Sequence, residues 1–225
     1  MTPTTKFKAA LCGLALIAAA ALPMAAAPAT AAAPPTMSAE VAAATKPVPK
    51  LGYSTQTVRT LNIDFQYQQT GYWCGPAATR IALSARISPP SQQQLANELP
   101  TTTNGTDWIG QVTRVLNNHL GTGWYETKEM PNDPPTQAQR DLLWRDVVLD
   151  INNNYPIVAN IVAPASNHPP GYPNYTIYHY FTVIGYDDSD QTVLIADPAG
   201  FAPTATYWLT FNQLATLIPP KGYSA

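Results

Sequence analysis

The run Gln68-Gln69-Thr70-Gly71-Tyr72-Trp73-Cys74-Gly75-Pro76-Ala77-Ala78 decides how this chain is read. Gly75-Pro76 opens a helix that the pattern carries to Ser84, because proline is tolerated in a first turn where its missing N–H has no partner anyway. Cys74 therefore lies at or just before a helix N-terminus, where the helix dipole favours an anion. A thiolate is the reactive form of cysteine, and a helix start or a neighbouring imidazolium lowers its pKa. The other cysteine, Cys12, falls within an expected export signal. Secreted proteins normally use cysteines in pairs. A single remaining thiol is a core filler, a link to another molecule or a reactive group, and these neighbours favour the last.

The export signal is read from the first residues. Met1 to Lys8 holds two lysines and no acid, Ala9 to Leu22 is unbroken apolar, and Ala-x-Ala sites follow at Ala27 to Ala31. That order describes a secretory signal peptide over 1–29. The apolar run is too short to span a membrane, which takes roughly 20 residues. Cys12 precedes most of the apolar run and would leave with it, so no lipid anchor is expected there. Residues 30–53 are rich in Ala, Pro and Thr and read as a flexible leader rather than a folded propeptide. Residues 54–225 fit one compact domain. Losing Lys6 and Lys8 takes the formal charge from −2 to −4, and only 12% of residues are charged. No basic footprint for nucleic acid or anionic membrane is left.

Within the domain the pattern changes once. Ser91 to Leu99 begins with Ser91 and Gln94 at capping-box spacing. Thr106 to Leu120 and Ala138 to Asn152 carry apolar residues at helical spacing, and Gly121 ends the former. The second half reads as strands: Pro156 to Val162, Tyr178 to Tyr186, Thr192 to Ala196 and Thr204 to Leu209, with a short closing helix over Phe211 to Leu217. The turn Asp187-Asp188-Ser189-Asp190 makes a hairpin of the second and third strands. Helices first and antiparallel strands second give an α+β fold, a helical N-terminal half packed on a C-terminal antiparallel sheet.

The hairpin brings the candidate site residues together. The chain has three histidines. His119 ends a helix, and His168 lies in a proline-rich loop. His179 opens a strand, on one face with Phe181 and Val183. Asp197 closes the neighbouring strand, so it can accept from one imidazole nitrogen and leave the other for Cys74. An aspartate before proline is also a common turn residue. Attack on a carbonyl builds an oxyanion that needs donors placed in advance. The Cys74 N–H and a glutamine side chain would supply them. Gln68, six residues before the cysteine, is preferred, and Gln69 is the alternative. Tyr72 and Trp73, with the Pro-, Tyr- and Asn-rich loop 163–177, are candidates to line the cleft.

Gln68, the Gly71 to Ala78 run, Tyr178-His179-Tyr180-Phe181-Thr182-Val183-Ile184-Gly185-Tyr186 and Asp197-Pro198 together resemble the C39-like cysteine peptidases. The resemblance extends from about Leu61 to Leu217, and the Gly105-Thr106 pair also recurs in such proteins. It implies a papain-like fold, with Cys74 as nucleophile, His179 as base, Asp197 as its orienter and Gln68 as oxyanion donor. Two features depart from relatives. Papain carries a second cysteine shortly after its nucleophile, where this chain has Gly75-Pro76-Ala77. Exporter-fused members cleave double-glycine leaders in the cytosol, whereas this chain has an export signal and no transporter segment.

The expected function is therefore a secreted, extracellular cysteine peptidase acting on a peptide or protein substrate. The expected chain is a monomer, without nucleic-acid partners and without membrane attachment once the signal is removed. No cofactor is expected, and scattered histidines with one mature cysteine suggest no metal site. The alternatives are a transglutaminase-like acyl transferase or a cell-wall amidase using the same residues, or a silent extracellular binding module, since a fold and triad do not choose the acceptor.

Overall fold

The structure, a computed structural model, describes residues 58–225. The expected signal peptide (1–29), leader (30–53) and first domain residues (54–57) lie outside the described residues. In chain order the elements are β1 Val58–Thr60, α1 Cys74–Ser84, α2 Gln92–Glu98, α3 Ile109–Leu120, β2 Thr127–Glu129, α4 Gln137–Asn152, β3 Ile157–Ala163, β4 Ile177–Asp187, β5 Thr192–Ala196, β6 Thr206–Thr210, α5 Phe211–Leu217 and β7 Gly222–Ser224. The architecture is α+β, as the sequence pattern predicts.

Helix starts follow side-chain chemistry in three of the five cases. Ser91, Thr136 and Thr210 each accept from the backbone N–H three residues on, at α2, α4 and α5. These bonds satisfy donors that a helix end leaves free. α1 has no side-chain cap at Trp73, so its first turn keeps free N–H groups beside Cys74. α3 starts at Ile109, three residues later than the pattern suggests. Gly105 takes a φ of +91° in a tight turn closed by Thr102 and Gly105 backbone bonds. A 2.8 Å bond between the Thr101 and Thr106 hydroxyls pins that turn. Residues 104–107 are thereby held as a loop. Gly121 ends α3 in the left-handed region at φ 60°.

The sheet has seven strands in the order β2-β7-β3-β4-β5-β6, every pair antiparallel. β1 pairs β4 along the edge that β3 leaves free beyond Val183. The expected hairpin is present, with Asp187 opposite Thr192 and Thr182 opposite Ala196. The three strands that the pattern does not predict, β1, β2 and β7, have three residues each. That is too short for a period of two to register.

The helices divide between the two faces. Leu143, Val147 and Ile151 of α4 and Leu214 and Leu217 of α5 pack on Ile157, Ile161, Phe181, Val183 and Ile195. On the other face, Ala78 and Ala82 of α1, Leu95 of α2 and Val112 and Leu116 of α3 pack with Val158 and Tyr180. α1 is buried from Cys74 to Leu83. Its alanines let the backbone approach β4 closely, and the Thr182 hydroxyl donates to the Ala78 carbonyl at 2.9 Å.

β4 organises the centre. β5 pairs with it only from Thr182 onward, opposite Ala196. Among the described residues, no strand therefore covers the β5 side of β4 from Ile177 to Phe181. The start of α1 and the chain after β5 come together at that bare edge. Further along β4, Gly185 lies where β1 crosses closest. A Cβ there would meet the Arg59 carbonyl oxygen at 2.7 Å. Gly185→Val should therefore destabilise the fold by about 1–3 kcal/mol, read as a lower urea midpoint at unchanged slope. An unchanged midpoint would mean that β1 is not seated against Gly185.

Candidate active site

Cys74 is a free thiol, 9% exposed, at the first residue of α1. Burial alone would push its pKa up. The His179 side chain opposes this by hydrogen bond and by charge, and backbone N–H groups of Tyr180 and Gly75 add to it, so the net shift is down. Thiolate stabilisation thus comes from the bare β4 edge and from the helix start. Gly75 is required by what lies across from it. A Cβ on Gly75 would fall 2.3 Å from the Thr106 hydroxyl.

His179 is 4% exposed. Its Nε2 lies 2.8 Å from Asp197 Oδ1, which leaves Nδ1 as the nitrogen available to Cys74. Burial disfavours the imidazolium, but the Asp197 carboxylate and then Cys74 outweigh it, and the pKa rises. Asp197 is 2% exposed and accepts four hydrogen bonds. Burial pushes its carboxyl up. His179, the Tyr207 hydroxyl and the Ala199 N–H pull it down more strongly, to about 2. The site's polarity is therefore a buried chain of charge from carboxylate to imidazole to sulfur.

Gln68 lines a cavity of about 330 Å³ together with Cys74, His179, Tyr175, Ala199 and Phe201. Its Nε2 donates to the Thr70 carbonyl at 3.0 Å, which fixes the amide and leaves one N–H uncommitted. Its Oε1 is buried without a partner. The Gln68 backbone N–H donates to Pro198 O at 2.9 Å, tying the glutamine to the residue after Asp197. From the other side, Gln92 of α2 donates to Tyr67 O at 2.8 Å and accepts from Gln69 N–H at 3.0 Å. Gln69 itself is exposed and lies outside that cavity.

A second cavity, about 170 Å³, flanks the thiol on the other side and is lined by residues 104–107, Asn160, Tyr178, His179, Tyr180 and Lys221. Of the loop 163–177, residues 175–177 reach the first cavity. Tyr72 and Trp73 line neither. Tyr72 is exposed, with its ring set edge-on to Trp73 at 6.5 Å. His119 pairs with Glu98 at 2.6 Å in the last turn of α3, and His168 stays in its loop, with Nδ1 3.0 Å from Pro169 O. A separate groove of about 1080 Å³ runs between α4 and the β4–β5 turn and contains none of these residues. Among the described residues, no three His, Cys, Asp or Glu side chains are grouped to hold a metal.

The sequence profile described as Peptidase_C39 like family matches residues 60–216. The chain belongs to that family. Its fold, with the cysteine at the start of a helix set against the sheet that bears His179 and Asp197, is the papain-like one expected of a C39-like peptidase. Solved structures similar to this C39-like chain include the peptidase domain of Streptococcus ComA, a bi-functional ABC transporter involved in quorum sensing. It is 17% identical with a TM-score of 0.47, over 73% of this chain and 98% of that one. A protein described as a C39-like peptidase from Bacillus anthracis is 15% identical with a TM-score of 0.48, over 74% and 96%. Xylellain, a cysteine protease from Xylella fastidiosa, is 14% identical with a TM-score of 0.46, over 75% and 85%. No curated protein matches the chain. Membership of the family supports a peptidase function.

Three residues of the site escape the sequence reading: Gln92, Tyr172 and Tyr207. Gln92, a polar residue at the first position of α2, is fully buried. Tyr172 stands in a Gly-Tyr-Pro loop with no pattern to mark it. Tyr207 does carry a signal, since it alternates with exposed Trp208 alongside buried Leu209.

The Asp197 shift fixes a pH dependence. Its folded pKa of about 2 lies below the unfolded value of about 3.9. The stabilisation is thus present above pH 4 and lost as pH falls through 2, a loss of about 2–3 kcal/mol. Urea unfolding should show this acid-side fall in the wild type and a shallower one in Asp197→Asn. Equal slopes in both proteins would remove Asp197 as the source.

Proposed function

We propose that this protein is a secreted cysteine peptidase that hydrolyses peptide bonds through an acyl-enzyme on Cys74. The observation that carries the reading is the buried array of Cys74, His179 and Asp197, with the 2.8 Å His179–Asp197 bond and a thiol drawn down by the imidazole. The thiolate attacks the scissile carbonyl carbon, and the carbonyl oxygen becomes an oxyanion. The Cys74 N–H and the uncommitted Gln68 Nε2–H donate to it. As the tetrahedral species collapses, the C–N bond breaks and His179 Nδ1–H passes its proton to the leaving amine. Water then attacks the thioester, giving its proton back to His179, and the acid product leaves with the thiolate restored. Asp197 keeps Nε2 protonated throughout, which fixes the tautomer that serves Cys74.

The two cavities on either side of the thiol suit a chain that runs past it, with residues 175–177 and Phe201 on one side and residues 104–107 on the other. Export rests on the basic start, apolar run and Ala-x-Ala exit of residues 1–31. N-terminal sequencing of the protein recovered from culture medium tests it, with a first residue near Ala31 expected.

Alkylation by iodoacetamide reads the ion pair directly. Wild-type Cys74 should react rapidly at pH 6, well below the free-thiol pKa of about 8.5. His179→Ala should lose that acid-side reactivity and lower kcat/KM by about 10²–10⁴-fold. Acid-side reactivity that survives in His179→Ala would remove the imidazole from the mechanism. Gln68→Ala should lower kcat by about 10²–10³-fold while leaving alkylation at pH 6 unchanged, because the amide serves the oxyanion and not the thiolate. Peptide profiling against the Cys74→Ala protein identifies the bonds cut. Adding an amine to the same assay distinguishes hydrolysis from acyl transfer.

A further inference from the structure

Asp197 receives more hydrogen bonds than orienting one imidazole requires. Oδ1 accepts from His179 Nε2 at 2.8 Å and from the Ala199 N–H at 2.9 Å. Oδ2 accepts from the Tyr172 hydroxyl at 2.7 Å and from the Tyr207 hydroxyl at 2.6 Å. An ionised carboxylate has no proton to give, so both phenols must be donors. They reach it from unrelated parts of the fold. Tyr172 comes from the loop between β3 and β4, and Tyr207 from β6.

We propose that Tyr172 and Tyr207 are positioning residues that set the basicity of the His179–Asp197 pair, by sharing the carboxylate's negative charge and holding its plane. The proposal rests on the peptidase reading above and adds residues to it. Donors that share one acceptor weaken each other, because each draws electron density from the same oxygen pair. With both phenols in place the carboxylate is a weaker acceptor for Nε2–H than it would be alone. The imidazolium is then held firmly enough to stabilise the thiolate and loosely enough to give up its Nδ1 proton to the leaving amine. A catalytic acid works best when its pKa is near the working pH, so a restrained carboxylate is an advantage.

The phenols are suited to this role. Burial, and then the charge of Asp197, push both hydroxyl pKa values well up, so both remain neutral donors while His179 titrates. Tyr172 also joins the pair to the wall of the first cavity. Its ring packs edge-on to Phe201 at 5.0 Å and to His179 at 6.0 Å. Three residues further on, Tyr175 begins the lining segment. The preceding Gly171 has φ +78°, and a Cβ there would strike the Phe201 carbonyl oxygen at 2.3 Å. The loop that delivers the Tyr172 hydroxyl is therefore pinned by backbone contact. The other titratable groups around the pair are Cys74 on α1, Tyr175 in the loop, Tyr178 and Tyr180 on β4, and Asp107 and Lys221 across the second cavity.

Tyr172→Phe, Tyr207→Phe and the double variant isolate the hydroxyls, because the ring contacts persist. The measurement is the pH titration of the His179 ring by nitrogen-15 NMR, beside the alkaline limb of kcat/KM. Each single variant should move the His179 titration upward by about half a pH unit, and the double variant by about one, with the alkaline limb following. A purely structural role changes the amplitude of activity and leaves the titration in place. Unshifted or lowered titrations in folded variants overturn the proposal. Should Tyr172→Phe fail to fold, Tyr207→Phe decides, since Tyr207 is half-buried and only its hydroxyl is removed. The ring titration needs no substrate. A wild type that cuts no peptide while its variants shift as expected would sink the peptidase reading and keep the charge sharing.

Discussion

The early end of β5 is the constraint on which the rest of the site depends. β4 runs 11 residues and β5 only five, so the first part of β4 has one edge without a strand partner. A bare edge inside a folded domain carries backbone donors that must find partners. Here the start of α1 brings a partner: the Tyr180 N–H is among the groups that draw the Cys74 pKa down. The residue that follows β5 is Asp197, whose backbone does not pair with β4 and whose carboxylate lies beside His179. A β5 two residues longer would replace this arrangement with ordinary sheet.

Placing charge in that position has a cost that the local structure must offset. A buried carboxylate and imidazolium lose hydration worth several kcal/mol each, and their mutual attraction repays it only when the remaining polar atoms are satisfied. Asp197 meets that condition fully, with four donors on two oxygens. At Cys74, the His179 side chain and the Tyr180 and Gly75 N–H groups outweigh the burial that would raise the thiol pKa. Gln68 meets it only in part, since its Oε1 has no partner while its backbone and Nε2 are tied. The residues before the cysteine are instead held by Gln92, whose buried amide bonds the backbone at two points. The imidazole, the carboxylate and two phenols thus form one hydrogen-bonded unit, to which Gln68 is tied through the Pro198 backbone.

How far each part could be read from the sequence follows from its physics. Proline after Cys74 marks a helix start because ring geometry is local. The turn at Asp187 to Asp190 marks the hairpin because turn residues are local, and the hairpin in turn places His179 near Asp197. α3 starts three residues after the Thr106 that the pattern suggests. The segment with helical spacing opens at Thr106, but a glycine at positive φ and a pair of threonine hydroxyls hold residues 104–107 as a cavity wall. Three-residue strands left no pattern to detect. Tyr72 and Trp73, expected to line the cleft, stand outside both cavities beside the thiol, at a point where the chain enters a helix and successive side chains turn in different directions.

By itself the sequence marked the candidate site: a thiol at a helix start, a histidine opening a strand, and an acid one hairpin away. Those choices rest on short-range rules of capping, turns and alternation. Only the tertiary structure decided which imidazole nitrogen meets the carboxylate, that α4 packs on the face opposite α1, and that Gln92, Tyr172 and Tyr207 are spent on the site. Each of these joins groups apart in the chain: Asp197 lies 25 residues from Tyr172, 18 from His179 and 10 from Tyr207. What selects them is the need of every buried donor and acceptor for a partner, and that need exists only once the chain has closed around them.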